Sequence, residues 1–343
     1  MDFRKNLHLI AGTVLILGAA VCCCPPVSVQ PTAAQVTAAA DSRLTDDEIA
    51  TLSSLEKIDD YPLYTMRFHG TYDQYRDRAS TPAKPEWACS LFAAMGDAED
   101  MVYGRNFDWE YSPALLLFTD PPDGYASVSM VDIGYLVEED QVKSLTELPL
   151  TDREALLVAP FWPFDGMNEY GLVVGMAAVP ESRMPDDPDK ETIDSLAIIR
   201  EMLDHARNVD EAVVIIESYN IAWGGGPALH YLVADASGRA VLVEFYQGKM
   251  TVIPHETPYH LATNHLRVTA SGHGGCWRYA TLDDRLTETA GCLAPQEAVD
   301  LLEDVAQEGT QWSIVYGFST GDARVAMGRE YDTVHTLHLD LVE

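Results

Sequence analysis

The sequence feature that most constrains the fold is the run HYLVADASGRAVLVEFYQGKMTVI at residues 230–253. Turn-forming residues around 235–238 and 247–249 divide this run into three segments of strand length. Apolar strand segments joined by short turns are typical of antiparallel neighbours. The run therefore predicts a three-stranded meander, and its apolar face needs a second layer of structure to cover it.

Other segments repeat the same pattern. Helical spacing of apolar residues or capping residues predict helices from Thr45 to Lys57 and at 192–206, 209–219 and 295–306. Alternating or apolar runs predict strands or hairpins at 61–69, 88–95, 101–109, 127–137, 166–179, 310–328 and 333–339. Strands that are interrupted by pairs of helices predict an α+β layered sandwich.

Charge limits the classes of partner. The chain of 343 residues carries 54 acidic and 22 basic residues, for a formal net charge of −32. This acidic excess argues against binding of nucleic acid, or of an anionic membrane surface, through a basic patch. Because 47 % of the residues are hydrophobic, the chain can bury a substantial core in one large domain or two ordinary ones.

The N-terminus predicts export. Residues 1–24 place Arg4 and Lys5 before an apolar run of signal-peptide length, and the run ends in three cysteines. Lipid attachment at Cys22 would make the N-terminus a membrane tether. Residues 25–43, rich in Pro, Ala, Thr and Ser, predict a flexible linker. We therefore expect a protein of the cell envelope or extracellular space, with oligomeric state left open.

Only three cysteines follow this signal: Cys89, Cys276 and Cys292. An odd number outside the cytosol leaves at least one free thiol or an intermolecular bridge. If Cys276 and Cys292 were paired, the unpaired cysteine would be Cys89.

Cys89 begins a strand-like segment, and the turn GDAED returns the chain to Arg105 and Asp108. A neighbouring arginine would favour the thiolate, which is the nucleophilic form of cysteine. The spacing alone does not establish that the three side chains share a face of the sheet. A buried core cysteine beside an Arg105–Asp108 ion pair fits these residues as well.

The order of several motifs along the chain is more specific than any one of them. Cys89, GRNFDW at 104–109, MNEYGL at 167–172, the run at 230–245, TNH at 263–265 and Arg278 follow one another in order. This order resembles the choloylglycine hydrolase and acid ceramidase-like family of N-terminal-nucleophile (Ntn) cysteine amidases, which includes penicillin V acylase and isopenicillin N acyltransferase. The resemblance spans about 55–328. It implies a four-layer αββα sandwich of two antiparallel sheets.

The resemblance also implies a mechanism. A precursor would cut itself between Ala88 and Cys89, so that residues 44–88 form a pro-segment and 89–343 the catalytic domain. The freed α-amine titrates near neutral pH and can act as the base for its own thiol. Arg105 would favour the thiol anion, and Asp108 would accept hydrogen bonds from the α-amine.

Three further residues receive roles from the same resemblance. Asn264 would donate its amide to the oxyanion of the tetrahedral intermediate. Asn168 would be a second donor, with Glu169 as an alternative functional position, and Arg278 would complete a charge network. Taken singly, these residues also fit a turn cap, a hairpin residue and a surface cation.

These observations predict a hydrolase that cleaves a linear, non-peptide amide of a small N-acyl compound, without metal or other cofactor. An acyltransferase and a tethered, non-catalytic binding protein are the alternatives. GFSTG at 317–321 fits the nucleophile elbow of serine hydrolases, but a strand-like run follows it, which favours a hairpin turn.

Overall fold

The computed structural model describes residues 43–78, 88–179 and 181–342. The predicted export signal at 1–24 and the linker at 25–43, apart from residue 43, lie outside the described residues. Within these ranges, every helix is too short or too polar to cross a bilayer.

Two large sheets and five α-helices organise the described residues. The helices are α1 (Asp46–Ser53), α2 (Ala197–His205), α3 (Val209–Ser218), α4 (Trp277–Glu288) and α5 (Pro295–Asp304). The first strands are β1 (Glu56–Asp59), β2 (Leu63–Arg67), β3 (Ala88–Ala94), β4 (Val102–Asp108), β5 (Ala114–Thr119), β6 (Ser127–Asp132), β7 (Pro163–Asn168), β8 (Val173–Ala178) and β9 (Thr192–Asp194). The later strands are β10 (Asn220–Ala222), β11 (Leu229–Ala234), β12 (Ala240–Tyr246), β13 (Lys249–Pro254), β14 (Tyr259–Ala262), β15 (Thr310–Gly317), β16 (Asp322–Met327) and β17 (His335–His338).

The strands form a sandwich with helices on both outer sides. One sheet has nine strands in the order β1-β2-β5-β6-β7-β8-β11-β12-β13, and the other has six in the order β14-β3-β4-β15-β16-β17. Helices α2 and α3 pack on the nine-stranded sheet, whereas α4 and α5 pack on the six-stranded sheet. The sheets face each other through the contacts of β3 with β8 and of β12 with β14. This confirms the predicted αββα sandwich.

One pair of neighbouring strands in the nine-stranded sheet is parallel rather than antiparallel. β2 runs parallel to β5, with Leu63 opposite Ala114 and Met66 opposite Leu117. A parallel neighbour requires a long crossover, and the chain makes β3 and β4 in the other sheet between these two strands. The predicted meander at 230–253 is confirmed as β11, β12 and β13.

Two predicted helix boundaries are wrong for a common reason. The first helix ends at Ser53 rather than Lys57, because Lys57 pairs with Tyr64 between β1 and β2. The helix predicted at 192–206 begins only at Ala197, because residues 192–194 form a parallel ladder with β10. In both cases a long-range strand partner overrides local helical spacing. The GFSTG segment is a turn between β15 and β16, as predicted.

The segment before the cysteine is part of the large sheet. Thr45 and Glu48 form a reciprocal capping box at α1. Leu63, Tyr64 and Met66 of β2 are fully buried in the core between the layers. The predicted pro-segment therefore contributes two strands and buried apolar surface to the fold.

We expect Met66→Ala to lower the free energy of unfolding by about 2–5 kcal/mol, because it opens a cavity beside β5. Thr65→Ala, a matched change at a half-buried position of the same strand, should cost under about 1 kcal/mol. Urea unfolding measures both. Equal losses in the two variants would contradict this packing of β2.

Candidate active site

Register decides which side chains meet at Cys89. Cys89 pairs with Phe107, and Leu91 pairs with Arg105, across the antiparallel β3–β4 ladder. Side chains that are two residues apart on a strand share a face, so Cys89 and Arg105 both point into the core between the sheets. Arg105 Nη2 lies 3.5 Å from Cys89 Sγ, and both side chains are fully buried. The expected neighbourhood of thiol and guanidinium is thus present.

Arg105 is held from the opposite sheet. Its Nη1 forms an ion pair with Asp165 of β7, and both side chains are fully buried. Tyr316 donates its hydroxyl hydrogen to the other Asp165 oxygen at 2.6 Å. Burial alone would lower the pKa of Arg105, but the charges of Cys89 and Asp165 raise it, so the guanidinium stays charged. Sequence reasoning missed Asp165, although it stands two residues before the quoted MNEYGL motif.

Burial raises the pKa of the Cys89 thiol, and the nearby charge of Arg105 opposes this shift without cancelling it. The arginine thus acts in the expected direction, but desolvation is the larger effect in the uncleaved chain. A thiol in this environment needs a base to become a nucleophile.

Asp108 lies on the other face of β4. It is opposite Ala88 in the ladder and accepts hydrogen bonds from Thr310 Oγ1 and Gln307 Nε2. Arg278 Nη1 is 3.7 Å from its second oxygen. Burial raises the pKa of Asp108, and the bonds from Thr310 and Gln307 oppose the rise. In the uncleaved chain, therefore, the Asp108 side chain lies near Arg278, and it is not on the face of the sheet that carries the thiol.

The backbone nitrogen of Cys89 meets Asn264 instead. Asn264 Oδ1 accepts a hydrogen bond from this nitrogen at 3.0 Å and another from Arg278 Nη2 at 2.8 Å. Because two donors face the same atom, it must be the amide oxygen. Asn264 Nδ2 donates to the carbonyl of Ala178 at 2.9 Å, at the end of β8. The amide predicted to serve the oxyanion is thus placed beside Cys89, between the two sheets.

Arg278 is not a surface cation. It lies in the first turn of α4 and is 7 % exposed. Its Nη1 donates to the carbonyl oxygen of Cys89 and, at 2.9 Å, to Ser90 Oγ. Arg278 therefore joins the cysteine, Asn264 and Asp108 in one network.

The structure does not bring Asn168 to Cys89 through any contact of the described residues. Its two amide hydrogens go to the carbonyls of Leu203 and Ala206, at 3.0 and 2.7 Å, where α2 ends. Its oxygen accepts from the backbone of Tyr170 and Leu172. Asn168 thus forms the β7–β8 turn and caps α2, as the hairpin alternative had it. Glu169 uses its backbone to bond Ala126 and Val342.

A pocket of about 590 Å³ adjoins Asn264. Its lining includes Val179 and Glu181 from the chain after β8, and His265, Leu266 and Gly274 from the chain after β14. The pocket thus adjoins the residue whose amide oxygen binds the backbone nitrogen of Cys89. Among the described residues, no group of three or more His, Cys, Asp or Glu side chains is arranged to hold a metal ion.

The three cysteines that the structure describes are all free, so Cys276 and Cys292 are not paired. Cys276 is the residue before α4, and Thr263 Oγ1 lies 3.5 Å from its sulfur. Burial would raise the pKa of Cys276, but the neighbouring polar side chains of His265 and Thr263 outweigh it and lower the pKa to about 6.

In a Cys89→Ala background, we expect the alkylation rate of Cys276 by iodoacetamide to rise through about pH 6 and to level off above it, because only the thiolate reacts. Peptide mapping by mass spectrometry measures the rate at each pH. Thr263→Val should move the midpoint upward. In the Cys89→Ala protein without the Thr263 substitution, a midpoint at or above the ordinary pKa of cysteine would contradict this assignment.

The chain is similar to known proteins both in sequence and in fold. Residues 163–312 match the family model of acyl-coenzyme A:6-aminopenicillanic acid acyl-transferase. A mutant of conjugated bile acid hydrolase from Clostridium perfringens superposes with a TM-score of 0.53 at 17 % identity, over 74 % of this chain and 92 % of that chain. Penicillin V acylase from Agrobacterium tumefaciens superposes with a TM-score of 0.50 at 17 % identity, over 74 % of this chain and 87 % of that one.

At these identities the two structures establish the shared fold, and the family model adds the match in sequence. Both agree with the resemblance carried by the ordered motifs. The chain therefore has the Ntn-hydrolase fold of these two structures, and its residues 163–312 also match the acyl-transferase family model in sequence.

Proposed function

We propose that this chain is the precursor of an exported cysteine amidase that hydrolyses a linear amide of a small N-acyl compound after cleavage between Ala88 and Cys89. The observation that carries the proposal is the setting of Cys89. Its sulfur contacts Arg105, whereas its backbone nitrogen and carbonyl oxygen contact Asn264 and Arg278.

Cleavage would convert the backbone nitrogen of Cys89 from an amide, which is not a base, into an α-amine. A free α-amine has an ordinary pKa of about 7.7–8.0, so it can accept the thiol proton at neutral pH. Because burial raises the pKa of the thiol, the intact chain has little thiolate. The proposal therefore makes cleavage the step that activates the enzyme.

In the proposed reaction, the Cys89 sulfur attacks the substrate carbonyl while the α-amine takes the thiol proton. Asn264 Nδ2, which in the uncleaved chain is bonded to the Ala178 carbonyl, donates to the oxyanion. The C–N bond then breaks, the departing amine receives the proton, and an acyl-thioester remains on Cys89. Water attacks the thioester and releases the acid, which regenerates the thiol.

Two buried cations support this sequence. Arg105, fixed by Asp165, lies beside the sulfur and opposes the cost of forming the thiolate. Arg278 donates to Asn264 Oδ1 and thereby orients the Asn264 amide. Arg278 also lies near Asp108 and so limits the negative charge near the α-amine. We assign Asn168 a structural role in the turn and α2 cap, because its amide hydrogens are already used.

An acyltransferase is the second candidate, and a specific observation favours it: the matched family model describes an acyl-transferase. The same thioester would then pass its acyl group to an amine instead of water. Product analysis with and without an added amine acceptor distinguishes the two reactions. A tethered binding protein would show neither product.

Cys89→Ala should abolish both cleavage and turnover, with activity lower by at least about 10³-fold, because it removes the nucleophile. Intact mass spectrometry of the exported protein and an amidase assay measure the two effects. The matched control Cys292→Ala, at an exposed free cysteine, should be cut and active. An uncut chain with full activity would overturn the proposal.

Asn264→Ala should lower kcat by about 10²–10³-fold, because an oxyanion donor is lost from the transition state. Asn168→Ala should instead lower the melting temperature and change kcat per folded molecule much less. Steady-state kinetics and thermal unfolding of both variants test the assignment. Equal losses of kcat would contradict the distinction between the two asparagines.

A further inference from the structure

A buried pair of titratable side chains lies next to the Asn264 segment. His230 of β11 and Glu244 of β12 are both fully buried, and His230 Nδ1 lies 3.1 Å from Glu244 Oε1. Both residues belong to the nine-stranded sheet and to the motif at 230–245. The mechanism above gives neither of them a step.

Their remaining polar atoms all bind one segment. His230 Nε2 lies 2.8 Å from the carbonyl oxygen of Thr263, the residue before Asn264. The two Glu244 oxygens accept hydrogen bonds from the backbone nitrogens of Arg267 and Val268, at 2.7 and 2.9 Å. The pair therefore binds the chain on both sides of Asn264.

The chemistry of these contacts sets which atoms donate and which accept. The Thr263 carbonyl can only accept, so His230 Nε2 must carry a hydrogen. Burial would raise the pKa of Glu244, but the bonds from His230, Arg267 and Val268 outweigh it and lower the pKa. The two side chains are hydrogen-bonded to each other, and their other hydrogen bonds extend to the segment.

The segment has little other regular structure to hold it. β14 ends at Ala262 and α4 begins at Trp277, and the described residues between them contain neither strand nor helix. Asn264 must nevertheless present its oxygen to Cys89 and its nitrogen to Ala178. A misplacement of about 1 Å at a reacting centre can cost about 10²-fold in rate.

We propose that His230 and Glu244 are positioning residues that fix the 263–268 segment, and with it Asn264, against the nine-stranded sheet. This inference rests on the proposed function of Asn264. It assigns the 230–245 motif a role in catalysis through the placement of another residue.

Glu244→Gln should lower kcat by about 10–100-fold with KM changed by less than about threefold, because one amide cannot accept from two backbone N–H groups and His230 together. His230→Gln retains a donor for the Thr263 carbonyl and should lose less than His230→Leu. The matched control is His335→Gln, which breaks the His335–Asp59 pair between β17 and β1. It should leave kcat unchanged.

Hydrogen exchange provides a readout that does not depend on activity. The amides of Arg267 and Val268 should be protected in the unsubstituted protein and exchange faster in Glu244→Gln. Exchange of both amides at the rate of open loops in the unsubstituted protein would overturn the proposal, even if Glu244→Gln fails to fold. An unchanged kcat per folded Glu244→Gln molecule would also overturn it. If Asn264→Ala leaves kcat unchanged while these amides are protected, the oxyanion assignment fails instead of the anchoring.

Discussion

The ion pair between Arg105 and Asp165 is the interaction on which the site depends. It joins the two sheets through fully buried side chains, and Tyr316 completes the hydrogen bonding of the carboxylate. Removing one member would leave an uncompensated charge in the core, which is far more costly than removing both. The pair therefore fixes the guanidinium beside the Cys89 sulfur and ties the site to the spacing of the two sheets.

The side chain, the backbone nitrogen and the backbone oxygen of Cys89 each contact a different residue of the site. Its side chain points into the core between the sheets, and its backbone nitrogen and oxygen bind Asn264 and Arg278. Strand alternation explains the direction of the side chain, because the β3 side chains alternate between the core and the helix-covered face. The same rule places Asp108 with Arg278 and away from the thiol, although Asp108 and Arg105 belong to one motif.

The chain before the cysteine is a structural part of the molecule. β2 buries Leu63, Tyr64 and Met66 and adds β1 to the edge of the nine-stranded sheet. Loss of this segment would expose the edge of β5 and the apolar side chains that pack on it. The proposed cleavage would break the peptide bond between this segment and Cys89. The buried surface of the segment would still favour its association with the rest of the protein.

Local patterns in the sequence were sufficient for the meander at 230–253 and for the β7–β8 and β3–β4 hairpins, because period and turn chemistry act between near neighbours. The ordered motifs indicated the layered fold and Asn264. Only the tertiary structure decided that Asp165 holds Arg105, that Asn168 caps α2, and that His230 and Glu244 bind the Asn264 segment. These contacts join residues far apart in the chain, and their partners depend on register and on the packing of one sheet against the other. Residues 192–194 form a strand despite their helical spacing for the same reason, because their partner strand β10 follows two helices later in the chain.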